Sequence, residues 1–373
     1  MNLTKYKLGD LIVQRREKNN NYDVPIRGVS KEGFIPAKQK DADTSIYNVF
    51  YKYDFVFNPA RMELNSIALN LEYDKALCSS LYEVFYVKDE SIVLPEFLNL
   101  HIKRDEFARH CDYIGLGSAR EYCRFANIAE FDIELPPIEV QEEIVEADRL
   151  IKKRIRLNNQ MIQHLEATAQ ALYRKTFVDN IDKENLPKGW RMGTIEDLSE
   201  FVVAGVIPNY IEEGEYKVLG QRCVHDHIID MSLVKSHIPK SNCLFVQDGD
   251  ILINSTGSGT LGRVGQIISA PMNLAFDSNM TLVRPIGEYA IDYLGLAIFE
   301  KENYFVQISQ GSTSQTRLYC SMVKPAELLI PSMDELEKFK NYVHPMRNEI
   351  EHRRFENEKL TELQSLLLAK MGQ

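Results

Sequence analysis

Cys223, His225 and His227 alternate along the chain, so an extended backbone would put all three on one face, with Cys243 or His237 available to complete a tetrahedral zinc set. Structural zinc sites usually present two tight ligand pairs, and this is one loose triplet. A polar strand or loop edge is the plainer reading, and no metal is expected. Gly257-Ser258-Gly259-Thr260-Leu261-Gly262 imitates a phosphate-cradling loop behind the apolar run Ile251 to Ile253. It lacks the Lys-Ser/Thr of a Walker loop, and no 3.6-residue pattern follows to aim a helix N-terminus at a phosphate. The sequence contains no Asp-Pro-Pro-Tyr or Asn-Pro-Pro-Tyr stretch of the kind amino-methylating enzymes use, and no convincing Asp-x-Glu-x-Lys nuclease core. The expectation is a non-catalytic chain with no catalytic residues and no cofactor of its own.

Its polar loops suit recognition better. Two of them, Phe57-Asn58-Pro59-Ala60-Arg61-Met62-Glu63-Leu64-Asn65 and Asn254-Ser255-Thr256-Gly257-Ser258-Gly259, follow similar apolar runs. Two more, Gly117 to Arg124 and Gly311 to Arg317, offer Ser, Thr, Gln and Arg side chains. Arg can grip a guanine edge with two bonds and Asn or Gln an adenine edge, while Ser, Thr and backbone N–H groups hold phosphates. The candidates for nucleic-acid contact are Arg27, Lys38, Lys40, Asn58, Arg61, Gly117, Ser118, Arg120 and Arg124 in the first half. In the second half they are Thr256, Ser258, Arg263, Ser312, Thr313, Ser314, Gln315 and Arg317. The plain alternative is ordinary turn residues with local salt bridges at Arg61 and Arg120.

The elements that would position these loops occur twice. Leu8-Gly9-Asp10-Leu11 is echoed by Ile195-Glu196-Asp197-Leu198, and Tyr53-Asp54-Phe55-Val56-Phe57-Asn58 by Gly249-Asp250-Ile251-Leu252-Ile253-Asn254. Gly117-Ser118 is echoed by Gly311-Ser312, and Ile133-Glu134-Leu135-Pro136 by Leu328-Leu329-Ile330-Pro331. Four echoes in one order indicate an internal duplication. Within each copy, the runs 54–57, 83–87, 250–253 and 280–283 read as strands, and 95–110 and 291–307 as helices.

Each copy is followed by a long helical pattern. Ile151, Ile155, Asn158, Ile162, Leu165, Ala169 and Leu172 step by four and three, which is a coiled-coil seam; Val343, Met346, Ile350, Leu360 and Leu367 repeat it near the chain end. At 1.5 Å per residue the first helix would span roughly 60 Å, more than a compact domain needs for its own core. Two striped helices whose intervening segment must run out and return pair most simply as antiparallel partners. Polar members, Asn158 and Asn357, would fix the register at some cost in stability. The alternative is that each stripe packs on its own neighbouring domain. The expected fold is therefore α+β, with two similar globular domains at 1–137 and 181–331 and two long helices, 138–180 and 332–373, packed as an antiparallel coiled coil.

At 373 residues with 44% apolar content the chain can fill two or three packed cores. No apolar run is long enough for a membrane span, and Met1 to Asp10 carries no charged-then-apolar leader, so a cytoplasmic protein without membrane contact is expected. The six cysteines are scattered without a C-x-x-C pair, which is reduced usage. The net charge of −10 argues against binding nucleic acid through bulk charge. Only the stretch from Arg15 to Lys40 is locally basic, so contact must come from placed loops and a partner's charge.

Taken together, the residues Asn58-Pro59-Ala60-Arg61, Gly249-Asp250-Ile251-Leu252-Ile253, Gly117-Ser118-Ala119-Arg120 and, most specifically, Leu135-Pro136-Pro137-Ile138-Glu139-Val140-Gln141-Glu142-Glu143-Ile144 resemble the DNA specificity subunit of type I restriction-modification systems over essentially the whole chain. The resemblance implies two target recognition domains that each read half of a split double-stranded DNA site. It implies helices that set the gap and a subunit that is not itself an enzyme. It further implies two methyltransferase subunits as partners, with S-adenosylmethionine bound there, and motor-nuclease subunits in the full complex. The second helix opens with Pro331-Ser332-Met333-Asp334-Glu335-Leu336-Glu337, without the Pro-Pro and Gln of the first copy. The exposed run Lys152, Lys153, Arg154 and Arg156 is a candidate for subunit contact. Two competing readings remain at this level: a DNA-modifying enzyme with an unrecognised core, and a dimeric scaffold with no DNA role.

Overall fold

The computed structural model describes residues 3–37, 43–115, 122–179, 181–241, 243–311 and 316–371. These divide into two compact units, one of residues 1–156 with 358–373 and the other of residues 157–357. The division falls inside each long helix rather than at its ends, so each unit combines one globular domain with a stretch of both helices. The boundaries expected from sequence had instead set the helices apart as spacers.

In the first unit the frame is a four-stranded antiparallel sheet in the order Ile12–Arg15, Glu83–Val87, Phe55–Phe57, Ile67–Leu69. Its strands are short and rich in Phe and Val, and Phe55, Val56, Phe57, Val84 and Phe85 are buried on both faces. Phe55 and Phe85 stack with ring centroids 4.7 Å apart. A second pair, Asn48–Tyr51 with Lys75–Cys78, lies on the sheet's other side. Thr4–Lys7 and Asp132–Leu135 pair antiparallel, so the start and finish of the domain are stitched together before the chain enters the long helix.

The helical stretch read as 95–110 is two helices, Pro95–Ile102 and Asp105–Gly115. The first helix ends at Ile102, and the second opens on the acidic pair Asp105 and Glu106, which suits a helix N-terminus. Phe97, Leu98, His101, Phe107 and Cys111 are all buried across the two.

The second unit repeats the frame: Ser199–Ala204, Met280–Pro285, Ile251–Asn254 and Val264–Gln266 form the equivalent antiparallel sheet in the equivalent order. Arg191–Thr194 pairs with Glu327–Ile330 as the stitch. Here too the expected single helix, 291–307, is two: Glu288–Phe299 and Glu302–Ile308. The break puts Glu302 at the head of the second, where its carboxylate accepts the Val264 N–H at 2.6 Å.

The central helix runs Ile138–Phe177, starting directly after Pro136-Pro137, which cannot donate the hydrogen bonds of a helix interior. The C-terminal helix runs Met333–Lys370 and carries Pro345 within it. Within the first unit, Gln364 Nε2 donates to Asp148 Oδ1 at 2.7 Å, and Met371 is buried in the cluster that Ile144, Val145 and Leu368 flank. Within the second, Asn158 Nδ2 donates to Asn357 Oδ1 at 2.9 Å, Arg354 pairs with Glu166 at 2.7 Å, and Tyr173 packs edge-on against Phe339. Partner numbers fall as central-helix numbers rise in both units, which is antiparallel pairing. Of the expected seam, Ile151, Asn158, Ile162, Ala169 and Ile350 are buried, and Ile155, Leu165, Leu172, Met346, Leu360 and Leu367 are half-buried. Tyr173 and Phe177 extend the seam and meet Tyr293 and Phe339 in an aromatic cluster that the four-three ladder stopped short of. Among the described residues no helix is long and apolar enough to cross a membrane.

Candidate nucleic-acid interface

In both units the chain turns sharply just before the equivalent strand, and the turn is braced by an aspartate. In the first, Asp54 N–H donates to Tyr51 O at 3.0 Å while its carboxylate accepts the Tyr51 N–H at 2.8 Å. In the second, Asp250 N–H donates to Gln247 O at 3.1 Å and its carboxylate accepts the Gln247 N–H at 2.7 Å. Each carboxylate also receives two guanidinium bonds: Arg15 to Asp54 at 2.6 and 3.0 Å, and Arg284 to Asp250 at 2.8 and 2.7 Å. Burial pushes both carboxyls above their ordinary pKa, and the arginine and the backbone N–H pull them back. These pairs are structural anchors at the start of the strands whose far ends lead into the polar loops.

In each unit the loop that follows the equivalent strand is bonded to a segment distant in sequence. In the first unit Asn58 caps the turn Pro59–Leu64, its side chain accepting the Ala60 N–H at 3.1 Å, and Cys123 N–H donates to Pro59 O at 3.0 Å. In the second, Leu318 N–H donates to Ser255 O at 2.8 Å. Each unit therefore ties the loop after its third-ranked strand to the segment that carries Arg124 or Arg317. Lys38, Lys40, Gly117, Ser118, Arg120, Ser312, Thr313, Ser314 and Gln315 lie outside the described residues.

A cleft of about 490 Å³ opens beside this junction in the first unit. Arg16, Lys18, Asn58, Leu81, Tyr122 and Arg124 line it, with Glu83 the carboxylate on its wall. Glu83 is occupied: it accepts from Gln14 Nε2 at 3.2 Å, the Phe125 N–H at 2.7 Å and Arg124 at 3.3 Å. Arg16 and Lys18 are exposed and carry no carboxylate partner in the described contacts, so the cleft is net cationic although the chain is acidic. Asn58 and Arg124 come from the expected set. Arg16, Lys18, Leu81 and Tyr122 do not, although the basic run Arg15-Arg16-Glu17-Lys18 was its visible signal.

Elsewhere the expected residues are dispersed or engaged. Arg27 is half-buried, lies over the Tyr73 ring at 4.8 Å and donates to its hydroxyl at 2.8 Å, so it braces a hairpin. Arg61 and Ser258 are exposed. Thr256 accepts a hydrogen bond from Gln221, and Arg317 donates to Ser278 O at 2.8 Å. Arg263 lines a shallow recess with His225, Asp226, His227 and Glu302.

The Cys-His-His triplet is not gathered. Cys223 is buried with its thiol pushed up by burial, His225 faces Asp230 at 3.8 Å, and His227 stacks on Phe299 at 4.3 Å. His237 is buried apart, its pKa lowered by burial. Among the described residues no three such side chains cluster as metal ligands.

A duplicated α+β frame, two long helices that pair within each unit and a cationic cleft beside a polar loop are thus found together in this chain. Residues 3–167 match the family described as the type I restriction modification DNA specificity domain. Over 371 residues, covering 75% of this chain and 77% of the other, the chain is 20% identical to the type I restriction enzyme HindI specificity subunit of Haemophilus influenzae. Its fold matches the type I restriction-modification S subunit from M. genitalium, with a TM-score of 0.60 at 14% identity over 99% of this chain and 96% of that one. The chain as a whole thus has the fold of a type I specificity subunit.

Proposed function

We infer that this chain is the DNA specificity subunit of a type I restriction-modification complex. The observation that carries the reading is the specificity-domain match at residues 3–167 together with the same strand order built a second time at 199–285. Each globular domain reads one half of a split site, and the helix pair sets the gap between the halves. The chain is a recognition component and not a catalyst, as the matched family is a DNA specificity domain.

Its partners are DNA and other subunits of the complex. At finer grain we propose two methyltransferase subunits, which hold S-adenosylmethionine, and motor-nuclease subunits in the full assembly, all in the cytoplasm. The chain's acidic balance supports a division of labour in which those subunits supply much of the phosphate contact. The basic run at Lys152, Lys153 and Arg156 is an exposed stretch of the central helix suited to subunit docking.

Sequencing methylated positions in the host genome with and without the gene tests this reading. Loss of methylation at one bipartite motif is expected. An unchanged methylation pattern contradicts it. Methylation by the purified chain alone would favour the enzyme alternative.

A further inference from the structure

The turn Ser79-Ser80-Leu81-Tyr82 projects from the wall of the cationic cleft in the first unit, and Leu81 at its tip is 78% exposed. The turn is held unusually firmly for one that displays an apolar side chain. Tyr82 N–H closes it on Ser79 O at 3.0 Å, and Leu81 N–H donates to Ser79 Oγ at 3.2 Å. Behind it the buried Asn48 amide donates to Ser79 O at 3.3 Å and Tyr82 O at 2.7 Å, while its oxygen accepts from Lys18 Nζ at 2.7 Å. The Asn48 amide nitrogen is spent on this turn, and its oxygen ties the turn to Lys18. Ordering a turn costs backbone entropy, and presenting a leucine to water recovers none of it.

The surroundings indicate what the leucine meets. Arg16 and Lys18 line the same cleft, as does Arg124, which lies over the exposed Tyr122 ring at 5.6 Å. Cations in the cleft from which an apolar tip projects match a duplex, which offers both phosphates and base edges. Among groups displayed in the major groove, the thymine C5-methyl is the one that an aliphatic side chain can recognise.

We propose that Leu81 is a specificity-determining residue that packs on the methyl group of one thymine in the half-site read by the first domain. The proposal rests on the DNA-reading function inferred above. Arg16 and Lys18 hold the phosphate backbone without base preference.

The test uses the full chain assembled with its methyltransferase subunits, and duplexes in which each thymine of the methylated motif is replaced in turn by deoxyuridine, which lacks only that methyl. The intact complex loses about fourfold in affinity at one position of one half-site, the worth of one buried methyl. Leu81→Ala weakens binding to the thymine duplex by a similar factor and is indifferent to uracil at that position. Arg16→Ala weakens binding to every duplex alike and keeps the uracil response.

Leu81→Ala that retains the uracil response overturns the proposal, as does a half-site with no sensitive thymine, while the weakening by Arg16→Ala leaves the DNA-reading function standing. If neither variant alters binding, the cleft is not the DNA surface and the Leu81 proposal falls, whereas a complex that binds no duplex of the motif overturns the DNA-reading function itself. Leu81 is exposed, so a thermal melt matching the parent chain excludes misfolding as the cause.

Discussion

The two units solve one problem with different side chains. Each must hold the turn before its central strand, and each uses a buried aspartate with a bidentate arginine, but the arginine comes from different strands. Arg15 closes the first unit's sheet strand Ile12–Arg15, whereas Arg284 lies on Met280–Pro285, at the position that Tyr86 fills in the first unit. Tyr86 there lies beneath the Arg15 guanidinium at 4.6 Å, and Phe201 takes that role for Arg284 at 4.8 Å. The strand register is kept and the partner migrates. What the fold requires is a cation at that carboxylate, not a particular residue.

The helix entries differ in the same way. Gln141 is wholly buried, donates to Ile92 O at 2.9 Å and Pro136 O at 3.0 Å, and accepts the Leu94 N–H at 3.1 Å, locking the central helix to its domain. Six residues past the stitching strand in the second unit stands Leu336, also buried, and the Tyr293 hydroxyl donates to Leu329 O instead. The missing Gln of the second helix is therefore a change of fastener, with the helix start preserved.

The largest expected effect comes from stranding a buried cation. Asp250→Ala leaves Arg284 enclosed, with only 9% of its side chain exposed, and should cost the second unit about 3–5 kcal/mol. Asp54→Ala should cost the first about 2 kcal/mol, because Arg15 is 25% exposed and can turn to water. Trp190, the single tryptophan, packs on Phe177 in the second unit, so its fluorescence in a denaturant titration reports that unit, and amide exchange reports the other. Moving the arginine in the first unit, as Arg15→Val with Tyr86→Arg, should recover part of the loss seen in Arg15→Val alone. No recovery would break the equivalence.

Gln141→Leu imitates the second copy without its tyrosine fastener and should cost about 3 kcal/mol by orphaning three backbone groups. Exchange of the Leu94 amide should speed up accordingly. Acid should also act on the first unit through a helix histidine that the second lacks at the equivalent position. His101, 4% exposed, is held neutral by burial with its pKa lowered to about 4, while Ala297 stands at the equivalent position in the second unit. A histidine whose folded pKa lies below its unfolded value contributes stability that is complete above about pH 6.5 and is lost as pH falls toward 4. The first unit should lose up to about 3 kcal/mol over that window relative to His101→Leu, measured by denaturant titration at each pH.

The smallest effect concerns the turn itself. Tyr53 and Gly249 occupy the same left-handed position, with φ of 67° and 87°. A Cβ on Gly249 would come within 2.7 Å of Ile291, so Gly249→Ala should destabilise by about 1–2 kcal/mol. Tyr53→Gly should change stability by less than about 1 kcal/mol, the relief of strain offsetting lost packing. Melting curves of the two variants decide it.

Much of this was legible in the sequence where the signal is local. Strand 83–87, the helix start after Pro136-Pro137 and the four-three seam all declare themselves through periodicity and proline. The helix breaks near Lys103 and Lys301 were not visible, because a short run carries the same spacing whether or not the next run continues in phase. The Arg15–Asp54 pair spans 39 residues of chain and the Asn48 brace reaches Tyr82 across 34, so neither leaves a local pattern. The cleft was half visible: the loops announced themselves by composition, but Leu81 reads as an ordinary turn residue until its neighbours are assembled around it.

If two separate domains each read half of one DNA site, the halves must be exchangeable. The decisive measurement is to replace residues 1–137 with the corresponding domain of another type I specificity subunit and to sequence the methylated motif in the host. One half of the motif should change while the other half and the gap between them stay as they were. An unchanged motif, or one altered in both halves, would contradict it.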